Sequence, residues 1–244
     1  LAAALAPGPG AAQGTREQRE ALKHYRSGQQ ALATERYQEA ADEFESAVRL
    51  DPLLVPAHYG LGQAHMALKD YPAAGRAYTR CEQAFHEAEA AALTDRVAAD
   101  RRIDEYIKAL EDDLLYLQRV AQGTNLNAQR AEQASTMKEQ QINSLKARRL
   151  RTGGAPEPTP GWLSLALGSA HFRLSDLARA EENYKKAIQV SPELGEAHNN
   201  LAVVYLLTGR PTEATAEIQA AEKTGFKVNP QLKKDVAARA GSGR

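Results

Sequence analysis

The chain has 244 residues with 31 basic side chains balanced by 31 acidic ones; 43% of its residues are apolar, 25% charged and 6% aromatic. Zero net charge argues against binding nucleic acid by neutralising phosphates, and the apolar and charged fractions are those of a folded chain rather than a disordered one. Ala is abundant and alternating Val, Ile or Thr runs are scarce, so the composition favours helices and the fold class is all-α.

A single cysteine, Cys81, excludes an intrachain disulfide framework and a cysteine-based zinc cluster. No run of about 18 apolar residues is present, so no transmembrane helix is expected. Residues 1–14 are almost entirely Ala, Leu, Gly and Pro. They read as a signal-peptide-like or disordered leader, with an apolar Leu1–Ala6, a helix-breaking Pro-Gly-Pro and small residues before Gln13.

From residue 15 the chain repeats. Tyr37-Gln-Glu-Ala40 with Phe44 and Ala47 recurs 34 residues later as Tyr71-Pro-Ala-Ala74 with Tyr78 and Cys81. The pattern returns as Leu177-Ala-Arg-Ala180 with Tyr184 and Ala187, and again as Pro211-Thr-Glu-Ala214 with Ile218 and Ala221. Small residues stand upstream at Gly28, Gly62, Gly168 and Ala202, where two antiparallel helices must approach closely. Pro52 and Pro192 close the second helix of their units. This spacing resembles the tetratricopeptide repeat over residues 21–88 and 161–228. The resemblance implies pairs of helices stacked into a solenoid. The bulky aromatic usual near the start of the first helix is replaced by His24, His58, Ser164 and His198, and Ser27 stands where leucine is usual. The second unit ends at His86 and the fourth has Phe226 at that place, where proline is usual.

All six histidines fall at recurrent repeat places, which are spread along a solenoid rather than converging as a metal site requires. Cys81 occupies the small-residue place of Ala47, Ala187 and Ala221, and reads as a buried structural residue. No metal and no cofactor are expected.

Residues 89–150 interrupt the repeats. No proline lies between Pro72 and Ala121, so the second helix of unit two is expected to run on for about 50 residues, roughly 75 Å. Ile103, Ile107, Leu110, Leu114, Leu117 and Ala121 alternate by four and three, as in a coiled-coil seam. Gln122-Gly123-Thr124-Asn125 supplies a stop and a restart, and Ala128, Ala131, Ala134, Met137, Ile142 and Leu145 form a weaker returning seam. Glu82 to Ala121 holds ten acids and five bases, and Thr124 to Arg151 two acids and six bases. Opposite signs favour an antiparallel hairpin, with Lys146, Arg148 and Arg149 expected near Asp95 and Asp100. The basic run Lys146–Arg151 reads as a paired or solvated helix face rather than a nucleic-acid site. Residues 151–160 read as a Pro/Gly linker, and Asn229-Pro230 starts a capping helix in the tail 229–244.

No phosphate loop, nucleophile elbow, zinc-protease or haem-attachment motif is present, and the reading is non-enzymatic. The resemblance implies a concave groove, lined by the first helix of each pair, that holds a peptide or helix. Carried onto this chain, the groove face comprises Tyr25, Gln29 and Leu32, then Tyr59, Gln63 and Met66. The second half contributes Trp162, Leu165, Ser169, Phe172 and Arg173, then Asn199, Val203 and Leu206. Aromatic and Met side chains there offer contact area, and the amides can bond a peptide backbone. A Lys/Asn/Arg cluster for a carboxylate tail is lacking, so an acidic peptide tail is a poor candidate. The leading expectation is an exported adaptor of the bacterial cell envelope that holds a protein or peptide partner. Two other readings are a self-assembling homo-oligomer that uses the hairpin, and the repeat portion of an enzyme whose catalytic domain lies elsewhere.

Overall fold

The computed structural model describes residues 9–122, 126–150 and 157–241, and every regular element among them is a helix. The apolar start of the leader, the Gly123–Asn125 turn and residues 151–156 of the linker lie outside the described residues. Helix α1 spans Pro9–Ala33, so it begins inside the stretch expected to be leader, with proline in the first turn, where its missing N–H costs nothing. There follow α2 (Tyr37–Leu50), α3 (Val55–Ala67), α4 (Tyr71–Thr94), α5 (Arg96–Ala121) and α6 (Leu126–Leu150). The second half holds α7 (Gly161–Arg173), α8 (Leu177–Val190), α9 (Gly195–Leu207), α10 (Pro211–Lys223) and α11 (Pro230–Gly241).

The helices form two compact units. One contains the described residues up to Ala64 together with Gln83 onward through α6; the other contains His65–Glu82 and Glu157 onward.

The turn inside each helical pair is built the same way four times. Glu35, Lys69 and Ser175 take a left-handed backbone, with φ of 62°, 62° and 60°, and Gly209 takes 75° at the same place. The next residue, Arg36, Asp70, Asp176 or Arg210, sends its N–H back to the carbonyl of Ala31, His65, His171 or Tyr205 at 2.8–3.0 Å. Those bonds close the first helix of each pair in a Schellman-type turn. Where that residue is Asp it also caps the second helix: Asp70 Oδ1 accepts from Ala73 N and Asp176 Oδ1 from Arg179 N, both at 3.1 Å.

Close approach explains the small residues. In the first unit the Phe44 ring lies against both Gly28 and Gly60, and a Cβ at either would sit 2.8 or 2.5 Å from it. In the second unit Tyr184 takes the same place against Gly168, where a Cβ would lie 2.6 Å from the ring. Around Tyr184 a core of Leu201, Val204, Tyr205, Ile218 and Val236 joins α8, α9, α10 and α11. Asn229 starts α11 by accepting from Gln231 N at 2.8 Å, and Arg239 Nη1 donates to Leu206 O at 2.9 Å, satisfying a carbonyl at the end of α9.

The long helix expected from Pro72 to Ala121 is divided. α4 ends at Thr94, and Asp95, with φ −138° and ψ 87°, caps α5 by accepting from Ala98 N at 3.0 Å. The Asp95 cap and the packing of α5 on α1 both accompany the break in a stretch whose local propensity favours a continuous helix.

α5 and α6 pack as an antiparallel hairpin: Gln118 meets Glu139, whereas Glu111 meets Lys146 at 2.7 Å. Lys146 therefore pairs further along α5 than the Asp95 and Asp100 expected from sequence; the side chains of Arg148 and Arg149 lie outside the described residues. Among the described side chains of α6, Ala131, Ser135, Lys138 and Ile142 are buried, spaced by four and three, and Leu145 is half-buried; the side chains of Ala128, Ala134 and Met137 lie outside the described residues.

Candidate protein-interaction faces

In the second unit, α7 and α9 are the first helices of their pairs and touch one another. Leu163, Leu167 and Ala170 turn one side of α7 into the core, which leaves Trp162, Ser169 and Phe172 half-buried on another. Arg173 is exposed, its guanidinium 5.9 Å above the Tyr71 ring. On α9, Asn199 and Val203 are half-buried, and Asn199 Nδ2 donates to Asn200 Oδ1 at 3.2 Å. Met66 is half-buried in the same unit. Leu165 and Leu206 are buried in the core cluster, so these two expected groove residues serve packing. The remainder is a mixed surface of aromatic, aliphatic, amide and guanidinium groups, the composition that suits peptide contact.

In the first unit the corresponding face is occupied. Tyr25 is 1% exposed, and its hydroxyl receives a hydrogen bond from Lys138 Nζ of α6 at 3.0 Å. Lys138 Nζ lies 3.5 Å from Asp113 Oδ2 of α5, and Arg26 pairs with the neighbouring Asp112 at 2.6 Å. Burial pushes the Lys138 ammonium below its ordinary pKa against the opposing pull of Asp113, and pushes the Asp113 carboxyl up against the pull of Lys138. The same burial raises the Tyr25 phenol well above its ordinary value, so it remains a protonated bridge. Gln29 is half-buried and lines a cavity of about 290 Å³ with Arg26, Asp112, Asp113 and Tyr116. Tyr59 is buried and Gln63 half-buried. The expectation that Tyr25 and Tyr59 present their rings to a partner is thus corrected: both are covered, and for Tyr25 the cover is the chain's own hairpin.

A second polar contact holds that hairpin. Tyr106 of α5 donates to Asp51 Oδ2 at 2.6 Å, and Arg102 lies 3.8 Å from Asp51 Oδ1. Asp51 Oδ1 also accepts from Leu53 N at 3.1 Å, fixing the turn between α2 and α3. Ile103, Ile107 and Leu110 are buried along the same helix. Sequence reasoning found these aliphatic positions but not Tyr106, Asp51, Asp113 or Lys138. Lys138 carried one available signal, a lysine four residues before Ile142 and seven after Ala131.

Histidines act in packing and turns. His58 Nε2 donates to Pro52 O at 2.9 Å, His198 Nε2 to Pro192 O at 3.0 Å, and His24 Nδ1 meets Glu43 at 2.8 Å. Among the described residues no group of three or more His, Cys, Asp or Glu is placed to hold a metal. Burial raises the Cys81 thiol far above its ordinary range, against a thiolate role. Among the described residues no helix is long and apolar enough to cross a membrane.

The family model for the tetratricopeptide repeat matches residues 25–89 and 165–226, just over half of the chain. The chain belongs to the tetratricopeptide repeat family. Its helical pairs α1/α2, α7/α8 and α9/α10 are tetratricopeptide hairpins, and α5/α6 lies outside both matched segments. No curated protein matches it. Among solved structures it is similar to TTC0263, a thermophilic tetratricopeptide protein of Thermus thermophilus, with 23% identity over 90% of this chain and 98% of that one and a TM-score of 0.32. It is also similar to YrrB, described as a tetratricopeptide protein with an unusual peptide-binding site, with 14% identity over 95% and 96% of the two chains and a TM-score of 0.30. A tetratricopeptide fold supports a role in protein–protein interaction, and modules of this family are typically not enzymes.

Proposed function

We propose that this tetratricopeptide chain is a non-enzymatic adaptor that holds an extended peptide or a helix against the α7/α9 face of its second unit. The observation that carries the reading is the partial exposure of Trp162, Phe172, Asn199 and Val203 on successive first helices, whereas Tyr25, at the repeat place of Asn199 and of the buried Leu165, is 1% exposed beneath α6. Half-buried aromatic and aliphatic groups supply contact area without unfolding cost, and Asn199 can turn from Asn200 to a peptide backbone. The signal-like leader supports a place in the cell envelope as part of the same proposal.

The test is binding of the co-purified partner to the double variant Phe172→Ala/Asn199→Ala. Loss of one aromatic contact and one amide contact should weaken affinity about 10-fold or more, with unchanged helical circular dichroism. Unchanged affinity in the folded variant refutes the α7/α9 assignment. Localisation is tested separately by fractionation of the native host.

A further inference from the structure

The hairpin is fastened to the first unit by contacts that differ from the seam holding α5 to α6. Three charged or phenolic side chains of α5, Arg102, Tyr106 and Asp112, reach Asp51 or Arg26, and Lys138 of α6 reaches Tyr25. Ile103, Ile107 and Leu110 are buried at helical spacing beside them. The polar contacts fasten α5 to α1 and to the α2–α3 turn, as a helix is received on a neighbouring surface. The resident of that surface is a segment of the same chain.

At its α4 end the hairpin is attached through a single non-helical residue, and at its α6 end it continues into the Pro/Gly-rich stretch 151–160. Asp95 N still donates to Ala91 O, and Ala99 N to Asp95 O, both at 3.1 Å, so helical bonding resumes on each side of one non-helical residue. A straight helix would need only the N–H groups of Arg96, Val97 and Ala98 to reach the carbonyls of Ala92, Leu93 and Thr94. The residues around the hinge favour helix, and only the Asp95 cap and the docking of α5 oppose it. Since α6 returns antiparallel to α5, both connections of the hairpin lie at its Asp95 end, so release requires a change at Asp95 together with the Pro/Gly-rich connection that follows α6.

We infer that α5–α6 is an exchangeable strap: straightening at Asp95 withdraws it from α1, and the vacated surface receives the α5–α6 hairpin of a second copy of this chain. The second copy is the occupant because its hairpin reproduces every one of these contacts, including the Lys138 hydrogen bond to Tyr25 and the charge match of Arg26 with Asp112 and of Arg102 with Asp51. Exchange of an identical element is the least costly route to a dimer. The inference concerns the first unit and stands or falls apart from the partner proposed for α7/α9.

The experiment uses the full chain in two hinge variants. Asp95→Ala removes the cap and favours a straight helix, whereas Arg96→Pro places proline at the first position of α5 and forbids one. Sedimentation over a range of concentrations should show Asp95→Ala dimerising about 10-fold or more tightly than Arg96→Pro. Exchange itself is read by mixing two single-cysteine chains in a Cys81→Ala background, Arg26→Cys in one and Asp112→Cys in the other, with a short bismaleimide. A cross-link between different chains is expected with Asp95→Ala and absent with Arg96→Pro. A folded Asp95→Ala chain that stays monomeric at every concentration overturns the inference, as does a dimer without the mixed cross-link. A monomer that instead binds an added peptide of residues 96–121 also overturns it, and makes the surface a site for a foreign helix. Circular dichroism and a cooperative thermal transition establish folding, which the exposed Asp95 should not affect.

Discussion

Replacing Lys138 with methionine tests the polar contact under α6. Lys138 Nζ stands 3.0 Å from Tyr25 Oη and 3.5 Å from Asp113 Oδ2, and the Lys138 and Asp113 side chains are 8% and 13% exposed. At that separation the screened attraction is about 5 kcal/mol for an effective dielectric constant near 20, and much of it offsets the cost of taking both charges out of water. Methionine keeps the volume and removes the charge, which leaves Asp113 buried with only Tyr25 and the more distant Arg26 to stabilise it. The expected loss is about 3 kcal/mol, limited by the alternative that Asp113 takes up a proton. Burial holds the folded-state pKa of Asp113 above its unfolded value. Between those two values the folded chain binds more protons, so stability falls as pH rises. Deleting Lys138 widens that window, and the deficit of Lys138→Met should shrink as pH is lowered from 7 towards 5. Replacing both partners, Lys138→Met with Asp113→Leu, removes both buried charges and should recover to within about 1 kcal/mol of the parent. Urea unfolding of the three variants at two pH values is the assay. A Lys138→Met loss below about 0.5 kcal/mol, or a double variant less stable than the single one, refutes the reasoning.

Tyr106→Phe deletes the 2.6 Å bond to Asp51, a carboxylate only 3% exposed, and should cost about 2 kcal/mol by urea unfolding, with faster hydrogen exchange in α5. Gly168→Ala puts a Cβ 2.6 Å from the Tyr184 ring and should destabilise by about 1–3 kcal/mol despite better helix propensity. Gly75→Ala meets only Leu174 Cδ1 at 4.0 Å and should stabilise by about 0.5–1 kcal/mol, so the pair of thermal melts should shift in opposite directions. Asp176→Ala removes the cap of α8 and should lower stability by about 1 kcal/mol.

Local rules made the repeats readable. A 34-residue period placed Gly28 and Gly168 opposite large rings because close approach demands small residues wherever a pair of helices is built. The same rules failed at Asp95. No proline interrupts residues 73–121, and the break combines a local cap, Asp95 on Ala98 N, with α5 packing on α1, a contact that no window of sequence contains. The fastening contacts are hidden for the same reason: Tyr106 and Asp51 are 55 residues apart, Lys138 and Tyr25 are 113 apart. In α6 the weak apolar pattern gave no reason to bury Ser135 and Lys138, which are buried beside Ala131 and Ile142. Only the partner helix, with Asp113 in place, makes the lysine a buried residue. The candidate groove divides on this point. Phe172, Asn199 and Val203 retain exposure because nothing in their unit covers them completely, and Tyr25 loses it to a segment that reads, by sequence, as a separate arm.

The most direct test places a photo-cross-linking amino acid at Phe172, Val203 or Gln29 in the full chain, expressed in its native host. The account predicts partner adducts from Phe172 and Val203 and none from Gln29, which faces α5. Partner adducts from Gln29 with none from Phe172 or Val203 would contradict it.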